Sequence, residues 1–174
     1  MAEYKTIRFR LNGRPVELAV QPHENLVEAL RRGFQMYSVR ESCGQGLCGC
    51  CTVYVNGKAV SGCLYLAALV DGCDVQTVEG LGTLQQLSPV QEAFIECEGF
   101  QCGFCTPGMI MMATQLLQEN PNPTDEEIKH YMSGNLCRCA AYPEIIAAVH
   151  RAAEKLRASK ETDAAADKAA TVAG

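Results

Sequence analysis

The sequence is short of several things, and each shortage excludes something. No apolar run approaches the roughly 18 residues that a membrane-crossing helix needs; the longest, Cys63 to Val70, has eight. The opening Met1-Ala2-Glu3-Tyr4-Lys5 lacks the apolar stretch of a secretory signal, so a cytoplasmic, reducing setting is expected. Positive charge is scarce as well. Fifteen Lys+Arg against 20 Asp+Glu leave a net charge of −5 over 174 residues and a pI near 5.2, which argues against a general nucleic-acid surface. Apolar residues are not short: 48% is a globular value and excludes wholesale disorder.

Cysteine stands out, with 11 in the chain. Disulfides are rare in a reducing compartment, and an odd count leaves one thiol over in any case. Two or three could be packed structural thiols, but packing does not explain clustering. Cys43, Cys48, Cys50, Cys51 and Cys63 lie in one stretch, and Cys102, Cys105, Cys137 and Cys139 in another; only Cys73 and Cys97 stand apart. Metal or redox chemistry follows from that arithmetic.

The first 80 residues have strand periodicity. Thr6 to Leu11 alternates, Asn12-Gly13 offers a hairpin turn, and Val16 to Val20 returns. A helix is expected from about Glu24 to Arg32, with Gly33 as its cap. A second hairpin pairs Cys51–Val55 with Lys58–Ser61 across Asn56-Gly57, and Asp74–Val78 adds a strand. Beyond Gly82 the period becomes helical. Ser88 with Gln91 and Thr124 with Glu127 are capping boxes, the first opening a helix that Gly99 is expected to end, while Thr106-Pro107 and Pro143 open two further helices, the last ending near Leu156. The expected fold class is α+β: a small sheet domain over residues 1–80, a four-helix bundle over 84–158, and a mobile tail over 159–174.

Cys43-x4-Cys48-x2-Cys51-x11-Cys63 is the plant-type [2Fe–2S] spacing. Three thiolates must converge from one tight loop, and Gly44, Gly46 and Gly49 supply the backbone freedom. These glycines also spell G-x-G-x-x-G, but a strand follows them where a dinucleotide site needs a helix, so the nucleotide reading is rejected. The second set is Cys102-Gly103-Phe104-Cys105, then 31 residues, then Cys137-Arg138-Cys139. Each pair precedes a helix, whose N-terminal dipole favours an anionic metal–thiolate centre. Spacing alone leaves a four-cysteine zinc site open. Cys50, Cys73 and Cys97 are expected as unligated thiols. His23, His130 and His150 have no ligand spacing, and Met109, Met111 and Met112 suit packing.

Three segments carry a resemblance: Cys43-Gly44-Gln45-Gly46-Leu47-Cys48-Gly49-Cys50-Cys51-Thr52-Val53, Gln101-Cys102-Gly103-Phe104-Cys105-Thr106-Pro107-Gly108-Met109, and Gly134-Asn135-Leu136-Cys137-Arg138-Cys139. Together they resemble the small iron–sulfur subunit of the molybdenum hydroxylases, the xanthine dehydrogenase, aldehyde oxidoreductase and carbon monoxide dehydrogenase family. The resemblance spans about Ile7 to Ala153. It implies a β-grasp ferredoxin-like domain and a four-helix domain with one [2Fe–2S] cluster each. Their ligands are implied to be Cys43, Cys48, Cys51 and Cys63, then Cys102, Cys105, Cys137 and Cys139. It further implies molybdopterin on a large subunit and FAD on a medium subunit, with Gln101 and Cys139 on the pterin side. This chain would move electrons and do no substrate chemistry. The alternatives are a stand-alone two-cluster ferredoxin and a zinc-stabilised interaction module. Cys50, where Ala is usual, and Ala140-Ala141, where Thr-Gly is common, depart from the family pattern.

Overall fold

The computed structural model describes residues 4–172, with side chains to residue 162. Its first half is a five-stranded mixed sheet built from β1 (Lys5–Leu11), β2 (Arg14–Val20), β3 (Thr52–Val55), β4 (Lys58–Ser61) and β5 (Asp74–Gln76), in the order β2-β1-β5-β3-β4. Both hairpins close on Asn-Gly with positive φ at each residue: Asn12 50° and Gly13 79°, Asn56 50° and Gly57 77°. That turn matches the twist of the strands it joins. Alternation on β1 sends Ile7, Phe9 and Leu11 inward, where α1 (Leu26–Phe34) adds Leu26, Val27 and Leu30. Each such buried side chain contributes roughly 1.5–3 kcal/mol.

The second half holds α2 (Pro89–Glu96), α3 (Thr106–Glu119), α4 (Asp125–Tyr131) and α5 (Tyr142–Val172). A separate core forms here from Phe94, Met109, Leu116, Ile128, Ile145, Val149 and their neighbours. Capping boxes open α2 at Ser88/Gln91 and α4 at Thr124/Glu127, as the sequence indicates. Outside the core, Lys155 reaches Glu92 (2.8 Å) and Glu96 (2.5 Å), tying α5 to α2.

The two halves share β3. All four of its residues are buried: Val53 and Val55 face the sheet's core, while Tyr54, on the other face, donates its hydroxyl hydrogen to the Met111 carbonyl of α3. A strand covered on both sides loses the polar alternation that marks a half-exposed strand.

Three expectations change. Gly33 does not cap α1; Gln35 takes the left-handed conformation (φ 56°), and Gly33 lies inside the helix because a Cβ there would stand 2.7 Å from Leu18. At the end of α2, Glu98 (φ 52°) is the left-handed residue and Gly99 follows it. Gly99 N–H bonds the Phe94 carbonyl and Glu98 N–H that of Ile95, a Schellman closure. Lastly, α5 does not end near Leu156 but runs to Val172, because Ala, Lys and Glu dominate this stretch and all favour helix. The expected tail, 159–174, thus begins inside a helix; its side chains from residue 163 and its residues 173–174 lie outside the described residues.

Candidate metal centres

At the first site the chain turns sharply between Val39 and Cys51. Gly44, Gly46 and Gly49 all have positive φ (62°, 71° and 68°) and let the loop curl with its amides facing inward. The Gln45 N–H donates to Cys43 Sγ at 3.4 Å, with the Leu47 and Cys48 amides beside it, and these donors hold the Cys43 pKa down to about 6. Amides that stabilise a bare thiolate serve an anionic cluster equally well. Cys63 arrives from beyond β4, held by the Gly62 N–H on the Cys51 carbonyl (3.2 Å). Burial pushes Cys51 up to about 11, so a metal must displace its proton.

The second site forms where α3 and α5 begin. Cys105 is the N-cap of α3, and Cys137 and Cys139 lie just before α5, held by the Tyr142 hydroxyl, which accepts from the Cys137 N–H at 3.0 Å. Burial and the neighbouring Cys137 raise Cys105 to about 12. At the outer edge Cys102 is lowered, first by the Phe104 amide, then by the Cys139 thiol, with a smaller contribution from Arg40.

Each of the eight thiols has another of the set beside it, and Cys48 also has Cys50. Cys43 meets Cys48 and Cys51 meets Cys63; Cys102 meets Cys139 and Cys105 meets Cys137. Among the described residues no three donor side chains gather round one ion-sized point. Two pairs per site is the donor set of a [2Fe–2S] core, which takes two thiolates on each iron. A cavity of about 460 Å³ opens at the second site, where Cys48 and Cys50 of the first loop join Cys102, Cys105 and Cys137 in its lining beside Phe104, Arg138 and Tyr142. Beside it, Thr106 Oγ is a buried polar atom that lacks a hydrogen-bond partner among the described residues, a hydroxyl free to donate to sulfur. The residues present fit the group.

Gln101, the other expected site residue, is exposed next to Cys102. Cys50 is buried, 5% exposed, between the sites: its thiol contacts Cys48 and senses Cys105, and burial raises it to about 12. Cys73 and Cys97 are half-buried, Cys73 against the core of the sheet half and Cys97 against that of the helical half, and His150 bonds Asp125 at 2.7 Å.

Sequence reasoning missed how the two loops touch. The Leu136 N–H donates to the Cys48 carbonyl at 2.9 Å, and buried Asn135 donates its side-chain amide to the Gly49 carbonyl at 3.2 Å. A Cβ on Gly108 of α3 would stand 2.1 Å from that same oxygen. Arg40, from the first half, donates to the Gly103 carbonyl at 2.5 Å. One signal was present: a glycine in the first turn of a helix costs about 1 kcal/mol against Ala and so points to a close approach.

Comparison with known proteins agrees with this geometry. Residues 9–77 match a "2Fe-2S iron-sulfur cluster binding domain" and residues 77–150 a "[2Fe-2S] binding domain". The nicotinate dehydrogenase small FeS subunit of Eubacterium barkeri is 46% identical over 86% of this chain and 96% of its own. The chain belongs to the family of small iron–sulfur subunits of the molybdenum hydroxylases. A crystal structure of quinoline 2-oxidoreductase from Pseudomonas putida superposes with a TM-score of 0.86 at 39% identity, covering 90% of this chain and 98% of the matched one. In the aldehyde oxidoreductase of Desulfovibrio desulfuricans (TM-score 0.85, 40% identity) the counterpart is only 17% of a longer chain, while 88% of this one is covered. The same pair of domains thus occurs both as a separate subunit and as part of a larger polypeptide. Like its relatives, the chain is an electron-transfer component of a multi-subunit oxidoreductase with two [2Fe–2S] sites. No helix among the described residues is long and apolar enough to cross a membrane.

Proposed function

We propose that this chain takes electrons singly from molybdopterin on a large subunit and delivers them to FAD on a medium subunit. On this reading electrons enter at Cys102, Cys105, Cys137 and Cys139 and leave through Cys43, Cys48, Cys51 and Cys63. The observation that carries the proposal is the set of four thiol pairs, two per site, joined back to back through the Cys48–Leu136 hydrogen bond. A [2Fe–2S] group, when bound, supplies one-electron storage. The protein holds the thiols in pairs, aims amides and helix N-termini at them, and keeps water from Cys51 and Cys105. We read residues 1–80 as a β-grasp ferredoxin-like domain, supported by the mixed sheet, and 84–158 as a four-helix bundle, supported by the common core of α2 to α5. The free thiols suit a cytoplasmic setting.

Exposed apolar side chains stand at both loops and favour a subunit over a free carrier: Leu47 (64% exposed) at the first, Phe104 (43%), Leu136 and Tyr142 at the second. Partners would cover them. Gln101 and Cys139 form the edge we assign to the pterin, where a neutral amide offers both a donor and an acceptor. The purified chain should hold about four irons and four acid-labile sulfides, in two clusters with separate EPR signals. Zinc without labile sulfide would overturn the reading, and failure to co-purify with molybdenum and flavin would favour the free ferredoxin. Gln101→Leu, expressed with the partner chains, should keep its iron while losing roughly 1–3 kcal/mol of pterin contact. Slower reduction of the clusters by substrate would report that loss, and an unchanged rate would remove Gln101 from the pterin edge.

A further inference from the structure

Arg40 precedes the first loop by three residues, yet its head belongs to the second. Its guanidinium donates to the Gly103 carbonyl at 2.5 Å and lies 5.4 Å from the centroid of the Phe104 ring. Gly103 and Phe104 are the two residues between Cys102 and Cys105, so a positive charge from the sheet half is fixed against the ligand loop of the helical half. Side-chain length alone would have let Arg40 turn to solvent, as Arg8 and Arg14 do. The planar fork and the ring hold it half-buried, where water screens its charge less than on the open surface.

We propose that Arg40 is a positioning residue that biases the electron within this chain: its charge favours the extra electron at the Cys102/Cys105/Cys137/Cys139 site over the Cys43/Cys48/Cys51/Cys63 site. The inference rests on the ligand assignment above. The step it acts on is balanced and needs no further reactant, since one electron leaves one site and arrives at the other. An added electron makes a thiolate-held centre more negative, and a fixed cation beside it lowers the energy of that state. The structure therefore assigns the receiving end of the chain its own counter-charge, supplied across the junction between the halves. Uptake and the joining of the halves then depend on the same side chain.

The test is a redox titration of the full chain, purified with its partner subunits, following the two EPR signals separately. Iron content and the presence of both signals in the unaltered protein check the ligand assignment; the split between the midpoints checks Arg40. Arg40→Gln keeps a planar donor for Gly103 but no charge. It should move the electron's partition between the two sites about tenfold away from the helical-half site, about 59 mV for one electron, with iron content unchanged. Arg40→Lys keeps the charge without the fork and should stay within about twofold of the unaltered protein. An unchanged split in Arg40→Gln, or equal shifts at both sites, would overturn the proposal. If Arg40→Gln fails to assemble, Arg40→Lys decides alone: a normal split supports the charge, and a tenfold shift shows that the fork and stacking matter instead.

Discussion

The two halves solve one problem in different ways. In the sheet half, three of the four thiols come from a single loop of nine residues, Cys43 to Cys51, and the fold only has to deliver Cys63. Left-handed glycines carry out most of that convergence locally. In the helical half the pairs are 31 residues apart, and they meet only because α3 and α5 pack with their N-termini together. The first site is therefore set mainly by backbone conformation and the second by tertiary packing. Losing a helix contact should harm the second site before the first.

Exchanging ligands should give the largest effect. Cys48→Ala should lower the iron from about four to about two and remove one EPR signal, and Cys105→Ala should remove the other. If the sites are built separately, each variant keeps its neighbour's cluster. Loss of all iron from either one, by metal analysis, would show that the halves assemble only together.

The shared wall should come next. Gly108→Ala would force a Cβ to 2.1 Å from the Gly49 carbonyl, and backbone on backbone leaves little room to yield. We expect a loss of about 3 kcal/mol or more, in the range of severe overpacking, with both EPR signals disturbed because Gly49 belongs to the first loop and Gly108 to α3. Gly134→Ala is the control: nothing stands within 4 Å of its Cβ and its φ is not left-handed. Thermal unfolding should separate the two by roughly 6–12 °C, at about 2–4 °C per kcal/mol for a chain of this length.

This contrast also explains what the sequence made legible. The Asn12-Gly13 and Asn56-Gly57 hairpins and the Ser88/Gln91 and Thr124/Glu127 capping boxes are local signals, and all of them appear in the structure. The misses were tertiary. Gly33 reads as a cap until Leu18 is seen to fill the space beside it, and Gly99 reads as a helix stop although Glu98 takes the strained φ. Arg40 and Asn135 look like ordinary polar loop residues because their partners, Gly103 and Gly49, are 63 and 86 positions away. Spacing cannot show a bond that depends on two domains meeting.

Thiol reactivity should differ sharply within the first loop. In the metal-free chain Cys43, held near 6 by backbone amides, should be thiolate at pH 7, while Cys50, raised to about 12 by burial, should be neutral. Alkylation at Cys43 should level off by about pH 7, whereas an ordinary thiol keeps accelerating toward pH 9. The sign follows from the depressed folded pKa: the thiolate's stabilising bonds are complete above the unfolded value near 9 and are lost as pH falls through about 6. Cys50 should resist the reagent throughout. Cys50→Ala should keep both EPR signals and cost about 1 kcal/mol for the small void. A lost cluster in that variant would put Cys50 in place of one of the four assigned ligands.

The smallest effect belongs to Ala140, one residue past Cys139. Its φ of 61° is left-handed, a conformation that costs an L-residue with a Cβ roughly 1–2 kcal/mol. Its N–H still reaches the Cys137 carbonyl at 3.2 Å, so the turn is held by a hydrogen bond that any residue could make. Ala140→Gly relieves the steric cost but gives the unfolded chain more freedom, which takes back about 0.4–1 kcal/mol. The net expectation is a gain of about 0.5 kcal/mol in denaturant unfolding, with iron content and both EPR signals unchanged. The gain should be largest in the helical half, because this turn carries Cys137 and Cys139 and its own hydrogen bond, Ala140 N–H to the Cys137 carbonyl, lies within that half. Hydrogen exchange at the amides of Cys137 and Ala140 should slow while that at Gln45 and Leu47 stays the same. Equal slowing in both loops would mean that the junction through Leu136 and Cys48 transmits stability between them, and that the halves behave as one cooperative unit.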